Sequence, residues 1–276
     1  MSDFLKKIIL PQIEFEDDAA DERIVNLFLN LYRIELFKDG LDLILTKLQE
    51  KKLRFKVSKI KGWDTNIGCF LTEDQKFFDR TIGKIFHKKN LKIVLRSVNY
   101  NVLAHEMAHA LEYESAINLG EEFRYAIGLD MKDRQAEMIT LQSQIKRLMI
   151  DALKAYKPHQ FLSELFARYF ELLSISRNVI ATGDFTTQEV MNFFVNTTNF
   201  IEKIFNQQIR NQIDPAIAEA SYEVAKQVSL TPPSQNFQEK IGARNQNFSK
   251  TFSKSVKSNA LWYNSWKKIE QKDDKK

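Results

Sequence analysis

The chain has 276 residues, of which 43% are apolar and 28% are charged, and its formal net charge is +5. This composition excludes an intrinsically disordered protein, because such chains are poor in apolar residues. The single cysteine, Cys69, excludes an intramolecular disulfide and a cysteine-based zinc cluster. Since no membrane-length apolar run and no signal peptide is evident, we expect cytoplasmic synthesis, with secretion into a host cell without a cleaved signal as the alternative.

The positive charge is concentrated at the C-terminus. Residues 250–276 contain eight lysines and three acidic residues, so residues 1–249 carry no net charge. A neutral body argues against nucleic-acid binding by the folded part of the chain. The tail combines its lysines with aromatic residues such as Trp262 and Trp266, a mixture that could lie weakly on an anionic membrane or on nucleic acid. The alternative is a solvated end whose aromatic side chains pack against the body.

The spacing of apolar residues predicts helices and strands in a definite order. In chain order they are a helix over 21–51 with a break at Gly40, strands over 53–60, 67–71 and 91–95, and helices over 101–115, 130–155, 158–176, 186–208 and 214–228. Few strands followed by many helices indicate an α+β fold, mostly helical with a small mixed sheet.

Four segments follow from this order of elements. We predict an N-terminal helical and strand segment over residues 1–60 that packs on the central domain, and the central domain itself over residues 61–180. Helices over residues 181–230 and a basic, partly disordered tail over residues 231–276 complete the chain.

Residues 105–109 read His-Glu-Met-Ala-His, which places two of the four histidines one helical turn apart. Residues four apart on a helix lie about 40° from each other around the axis, so His105 and His109 can present two nitrogens to one cation. Glu106 lies about 100° round from His105, in the position of a general base rather than of a ligand. A helix with two unrelated histidines is the alternative.

A catalytic zinc site needs a third protein ligand. Glu164 stands among bulky apolar neighbours, where a carboxylate is costly unless it meets a cation, but it could equally form an ion pair with Arg168. Glu137 is the second candidate for the ligand. Glu112, three residues after His109, is better placed to accept a hydrogen bond from an imidazole, and a solvent-facing charge is its alternative.

Two segments together resemble the gluzincin metallopeptidases. They read His-Glu-Met-Ala-His-Ala-Leu-Glu over residues 105–112 and Glu-Leu-Phe-Ala-Arg-Tyr-Phe-Glu over residues 164–171. The likeness is greatest to the lethal-factor type and to the zincin domains of large polyvalent proteins, and it covers roughly residues 65–175. It implies a zincin-like catalytic domain with an active-site helix that carries H-E-x-x-H, and it favours Glu164 over Glu137.

The resemblance also assigns roles to single residues. It implies that Zn2+ is held by His105, His109 and Glu164 and that Glu106 is the general base. Tyr156, eight residues before Glu164, matches a tyrosine that stabilises the oxyanion in lethal-factor-like enzymes, whereas an aromatic residue at a helix end is the structural alternative. The family usually has aspartate where this chain has Glu112.

The resulting hypothesis is a zinc metalloendopeptidase that hydrolyses a protein substrate, as an intracellular effector or toxin protease. An extended peptide would pair with an edge strand near Gly68, which leaves room for close backbone approach. No oligomeric state is predicted. One alternative is an inactive zincin scaffold with a binding or regulatory role, and another is membrane or nucleic-acid association through the basic tail.

Overall fold

Ten α-helices and a four-stranded mixed sheet make up the part of the chain that the computed structural model describes. The described residues are 2–14, 20–57, 68–79, 84–95, 98–133 and 139–233. Their helical majority and small sheet confirm the predicted α+β class. None of the described helices is both long and apolar enough to cross a bilayer. Residues 234–276 of the predicted tail lie outside the described residues.

The helices vary from 7 to 15 residues in length. They are α1 (Ser2–Ile9), α2 (Ala20–Leu31), α3 (Lys38–Gln49), α4 (Tyr100–Glu114), α5 (Glu121–Asp133), α6 (Ile139–Ile145), α7 (Phe161–Ser174), α8 (Thr187–Phe193), α9 (Val195–Ile204) and α10 (Pro215–Ser229). The strands are β1 (Ile13–Glu14), β2 (Leu53–Val57), β3 (Gly68–Asp79) and β4 (Lys84–Leu95). The chain from Met1 to Pro233 groups into one compact unit, and its predicted subdivision at residues 60 and 180 stays a prediction.

The strands lie in the order β1, β2, β4, β3, so β3 forms one edge of the described sheet. β1, β2 and β4 run parallel, whereas β3 runs antiparallel to β4. The β3–β4 pairing extends from Gly68 opposite Leu95 to Asp79 opposite Lys84. Since β2 pairs only with the last five residues of β4, the far part of the β3–β4 hairpin has no other strand beside it in the described sheet.

Two of the three predicted strands are longer than their apolar patterns indicated. The segments 72–79 and 84–90 are rich in polar residues and lack a clear alternation, but they pair with each other along the hairpin. Backbone hydrogen bonding therefore extends both strands beyond the stretches that their apolar patterns predicted. β1, only two residues long, was not predicted.

Gly40 does not break the first predicted helix. The interruption lies at residues 32–34, between α2 and a 3-10 turn at Glu35–Phe37, and Gly40 lies in the first turn of α3. Packing explains the glycine, since a Cβ at this position would stand 2.7 Å from Leu111 Cδ1 on α4. The missing side chain thus allows α3 to approach the helix that carries the two histidines.

The single helix predicted over residues 130–155 is confirmed only in part, since residues 134–138 lie outside the described residues and the helix that includes Asp130 begins already at Glu121. Asp130 belongs to the end of α5, and α6 is followed by a π-helical turn and a 3-10 turn. The buried Asp130 carboxylate accepts hydrogen bonds from the backbone N–H groups of Asn196 and Thr197, at 3.1 and 2.7 Å. It thereby caps α9, and this contact between distant segments is invisible to helical periodicity.

The remaining helix predictions divide into two groups. The helices predicted over 101–115, 158–176 and 214–228 are confirmed as α4, α7 with the 3-10 turn that precedes it, and α10. The helix predicted over 186–208 is interrupted at Phe194, which separates α8 from α9.

We expect Gly40→Ala to destabilise the fold by about 1–3 kcal/mol, because the added carbon overpacks the contact between α3 and α4. Urea unfolding measures the change in the free energy of unfolding. Gly120→Ala is the matched control, since the carbon added there meets only the flexible side chain of Asn118. Equal stability of the two variants would contradict the role given to Gly40.

Candidate metal centre

Helix α4 begins at a side-chain cap and carries a polar face. Asn99 Oδ1 accepts a hydrogen bond of 3.0 Å from the backbone N–H of Val102, which fixes the start of the helix. The polar side chains then recur at intervals of four and three residues, which places them on one side of the helix. We define the polar face of α4 as Asn101, His105, His109 and Glu112.

Helix α7 has two faces of opposite character. Its apolar side belongs to a buried aromatic cluster, in which the Phe170 ring lies 4.5 Å from the Phe37 ring and 5.1 Å from the Phe166 ring, centroid to centroid. Its other side carries polar residues at intervals of one, four and three. We define the polar face of α7 as Ser163, Glu164, Arg168 and Glu171.

The two polar faces meet in an antiparallel register. Asn101 Nδ2 donates to Glu171 Oε1 at 3.2 Å near the start of α4, whereas Ser163 Oγ donates to Glu112 Oε2 at 2.5 Å near its end. The start of each helix therefore faces the end of the other. His105 and His109 lie between these two contacts, opposite Glu164.

His105, His109 and Glu164 converge on one point. The two histidine Nε2 atoms are 3.2 Å apart, His105 Nε2 lies 3.6 Å from Glu164 Oε2, and His109 Nε2 lies 3.5 Å from Glu164 Oε1. His105 and Glu164 are each 8% exposed, and His109 is half-buried. The structure thus brings together the three predicted ligands, and this group could hold a metal ion.

The spacing of the three groups fits a small divalent cation. Two nitrogens bound about 2.0–2.1 Å from a tetrahedral zinc stand about 3.3–3.4 Å apart, and the observed separations differ little from this value. Glu164 Oε2 is buried without a hydrogen bond within the described part of the chain. A buried carboxylate oxygen is costly without a partner, so a cation at this point would satisfy it.

Glu171 holds the far side of the His105 ring. Its Oε2 atom lies 3.2 Å from His105 Nδ1 and accepts a hydrogen bond from Arg168 Nη1 at 2.5 Å. The His105 N–H is poorly aligned for a hydrogen bond, so the contact is chiefly electrostatic. A proton on Nδ1 is favoured beside this carboxylate, which leaves the Nε2 lone pair directed at the centre.

Ser163 gives His109 a similar support. His109 Nδ1 lies 3.1 Å from Ser163 Oγ, and the Ser163 hydroxyl donates to Glu112. In the tautomer with Nδ1 protonated, His109 donates to this hydroxyl and keeps its Nε2 lone pair for a cation. Glu112 Oε2 is 3.7 Å from His109 Nδ1, so the carboxylate acts through the serine. The predicted supporting position of Glu112 thus depends on a residue that the sequence analysis did not identify.

The charges of the metal-free site favour positive charge at the centre. Burial alone would lower the pKa of His109, but the nearby Glu112 and Glu164 carboxylates outweigh it and raise the pKa to about 9. Burial would raise the pKa of Glu164, but the neighbouring His109, His105 and Arg168 lower it. Burial acts in the same way on Glu171, whose interactions with His105 and Arg168 nevertheless lower its pKa to about 2.

The Glu106 carboxylate lies against β3, close enough to the converging groups for the charges of His105 and His109 to act on it. A Cβ on Gly68 would lie 2.8 Å from Glu106 Oε1 and 2.6 Å from Val102 Cγ1, so the edge strand passes directly over this carboxylate. Glu106 is 6% exposed, and burial raises its pKa. The structure therefore places the predicted base and the predicted substrate-pairing glycine against each other.

Tyr156 precedes α7 in the chain and lies close to Glu164. Its hydroxyl interacts with Glu164 and Arg168, and burial together with the Glu164 charge raises its pKa. The ion pair between Glu164 and Arg168 that the sequence left open is replaced by a pair between Arg168 and Glu171. Glu164 is thereby left to face the two histidines.

Neither the second candidate ligand nor the two remaining histidines is among the described side chains of this centre. Glu137, the second candidate ligand, and the side chain of His87 lie outside the described residues, and His159 is exposed before α7. Sequence reasoning missed Asn101, Ser163 and Glu171 as parts of the site. Their signal was their spacing from His105 and Glu164 on otherwise apolar helices.

Comparison of the chain with protein-family models, with curated proteins and with solved structures finds no match.

We expect Glu171→Gln to weaken zinc binding by about 10–100-fold, because the side chain that orients His105 loses its charge. Competition with a chromophoric chelator measures the dissociation constant. Glu171→Asp should restore part of the affinity, and Glu121→Gln, at an exposed ion pair on α5, is the matched control. A lower melting temperature of the metal-free protein with unchanged zinc affinity would mean that Glu171 is only structural.

Proposed function

We propose that this protein is a zinc-dependent endopeptidase of the gluzincin type, with a zincin-like arrangement of α4, α7 and the edge strand β3. The observation that carries the proposal is the convergence of His105, His109 and Glu164 beside a separate buried carboxylate, Glu106. Two imidazoles and one carboxylate form the ligand set of several catalytic zinc sites. When bound in such a set, zinc supplies Lewis acidity, which lowers the pKa of water and polarises a carbonyl group.

The residues around the centre supply complementary functions. Glu106, which lies against Gly68, is free of the ligand set and can accept a proton from water and return it to the leaving amine. Tyr156 can donate a hydrogen bond to the oxygen that becomes negative in the transition state. Gly68 allows the backbone of an extended substrate to lie close to Glu106.

The scaffold supports this division of labour. Glu171 and Ser163 hold the two histidines from behind, so the rings are oriented before any ligand binds. A site oriented in advance avoids reorganisation when charge develops during the reaction. An intact Glu106 favours catalysis over the alternative of an inactive zincin scaffold, which would not need a base.

We expect the purified protein to contain about one zinc ion per chain, as the set of three ligands implies. Elemental analysis measures the stoichiometry. His105→Ala and His109→Ala should each lose the metal because each removes a ligand. His159→Ala is the matched control and should keep the metal, since His159 is exposed outside the centre. Equal zinc in the ligand variants and in the control would refute the metal centre.

We expect Glu106→Gln to keep its zinc and to lose about 10²–10⁴-fold in cleavage rate, because the variant cannot accept the proton. Cleavage of a proteome-derived peptide mixture, analysed by mass spectrometry, measures the rate. Glu121→Gln should cleave like the wild-type protein. A Glu106→Gln variant that is as active as the wild type would show that another group is the base, and a metal-loaded wild type that cleaves nothing would favour the inactive scaffold.

A further inference from the structure

Strand β3 runs along α4 for some distance beyond the candidate base. Gly68 lies over Val102 and Glu106, and two residues later the Phe70 ring contacts the Tyr113 ring, with centroids 5.8 Å apart and planes tilted by 59°. Val102, Glu106 and Tyr113 lie within about 40° of one another around the helix axis. The strand and the helix therefore stay in contact along a line that leads from Glu106 towards the end of α4.

The contact between β3 and α4 is aromatic beyond the candidate metal centre. Tyr113 is one helical turn beyond His109 and remains 41% exposed. Phe70 is half-buried, and the alternation of side chains along a strand puts it on the same face as Gly68. An apolar surface is thus continuous with the site that holds the candidate ligands and base.

We propose that Phe70 and Tyr113 form a specificity subsite, which accepts a bulky apolar side chain on the N-terminal side of the scissile bond of an extended peptide. This inference rests on the proposed peptidase function and adds the class of substrate. The ligand of this subsite is a peptide, because the two rings border the edge strand of the described sheet. The backbone groups of that strand can pair with an added strand.

The direction follows from the geometry of pairing. Antiparallel pairing is somewhat more stable per residue than parallel pairing, so we take the added peptide to run opposite to β3. The reacting bond must lie near Glu106, which is next to Gly68. Substrate residues beside Phe70 then precede the reacting bond, by about two residues along the strand.

The size of the expected substrate preference follows from the apolar character of the two aromatic side chains. An apolar pocket discriminates between side chains that differ by a methylene group by about 10–200-fold. We expect phenylalanine or leucine at the selected position to be preferred over alanine by at least about tenfold in cleavage rate.

A positional-scanning library of ten-residue peptides tests the subsite. Wild-type protein, Phe70→Ala and Tyr113→Ala are compared for cleavage, and the Glu106→Gln variant and its double variant with Tyr113→Ala are compared for peptide binding. Tyr125→Ala is the matched control, since Tyr125 is a 69% exposed tyrosine on α5. Tyr113→Lys retains a long side chain and should shift the preference towards acidic residues, which gives a gain that misfolding cannot imitate.

The expected result is an apolar preference at one position before the cleaved bond, which falls to about twofold in Phe70→Ala and Tyr113→Ala and is unchanged in Tyr125→Ala. Cleavage without such a preference, or a preference that survives both substitutions, overturns the subsite and leaves the peptidase standing. If the wild type cleaves nothing but Glu106→Gln binds apolar peptides in a Tyr113-dependent way, the peptidase fails and the subsite stands. If the protein shows neither cleavage nor Tyr113-dependent binding, both the subsite and the peptidase function are overturned.

Discussion

The contact between the polar faces of α4 and α7 is the constraint on which the rest of this structure depends. Each helix is apolar around most of its circumference, so the contact buries histidines and carboxylates away from water. To remove one partner from such a buried pair costs about 3–5 kcal/mol, because the remaining charge is left uncompensated. Two hydrogen bonds thus fix the antiparallel register of the helices. Asn101 donates to Glu171 at one end, and Ser163 donates to Glu112 at the other, so each of these carboxylates has a partner.

The charge balance of this contact explains why a cation belongs at its centre. Four carboxylates, those of Glu106, Glu112, Glu164 and Glu171, surround two histidines, and Arg168 is the cation that pairs with one of them. With neutral histidines the group is strongly negative. A proton on His109 relieves part of this excess in the metal-free protein, and the pKa of His109 is raised accordingly. A divalent ion would relieve it while leaving the histidines neutral, which is the state that binds metal.

Apolar packing on the other faces of α4 and α7 fixes the positions of the side chains at this centre. The aromatic cluster around Phe170 fixes the rotation of α7, and Gly40 lets α3 approach Leu111 on the far side of α4. A small rotation of either helix would carry His105 away from Glu164, because a side chain sweeps several ångströms at that radius. The distance between two side chains at the centre is therefore determined by contacts that involve neither of them.

Local chemistry could be predicted from the sequence to a useful extent, whereas contacts between distant segments could not. The helix around His105 and His109 was predictable because it combines periodicity with a specific spacing, and Glu164 was favoured by the resemblance of its helix. The prediction of one helix over 130–155 missed the earlier start of α5 at Glu121. It also missed the contact of Asp130 with Asn196, which joins segments 66 residues apart. Ser163 and Glu171 were missed because a supporting residue is recognisable only when the partner that it supports is known.

The position of Glu106 shows how the edge strand and the chemistry proposed for this site depend on each other. A side chain at residue 68 would collide with the Glu106 carboxylate, so the glycine is needed at the point where β3 crosses α4. The same close approach excludes water from one side of the carboxylate, and burial raises its pKa. A strand that only completed a sheet would gain nothing from such proximity, since glycine weakens a strand interior. This loss of strand stability is explained if the edge of β3 has to bring an extended chain to the Glu106 carboxylate.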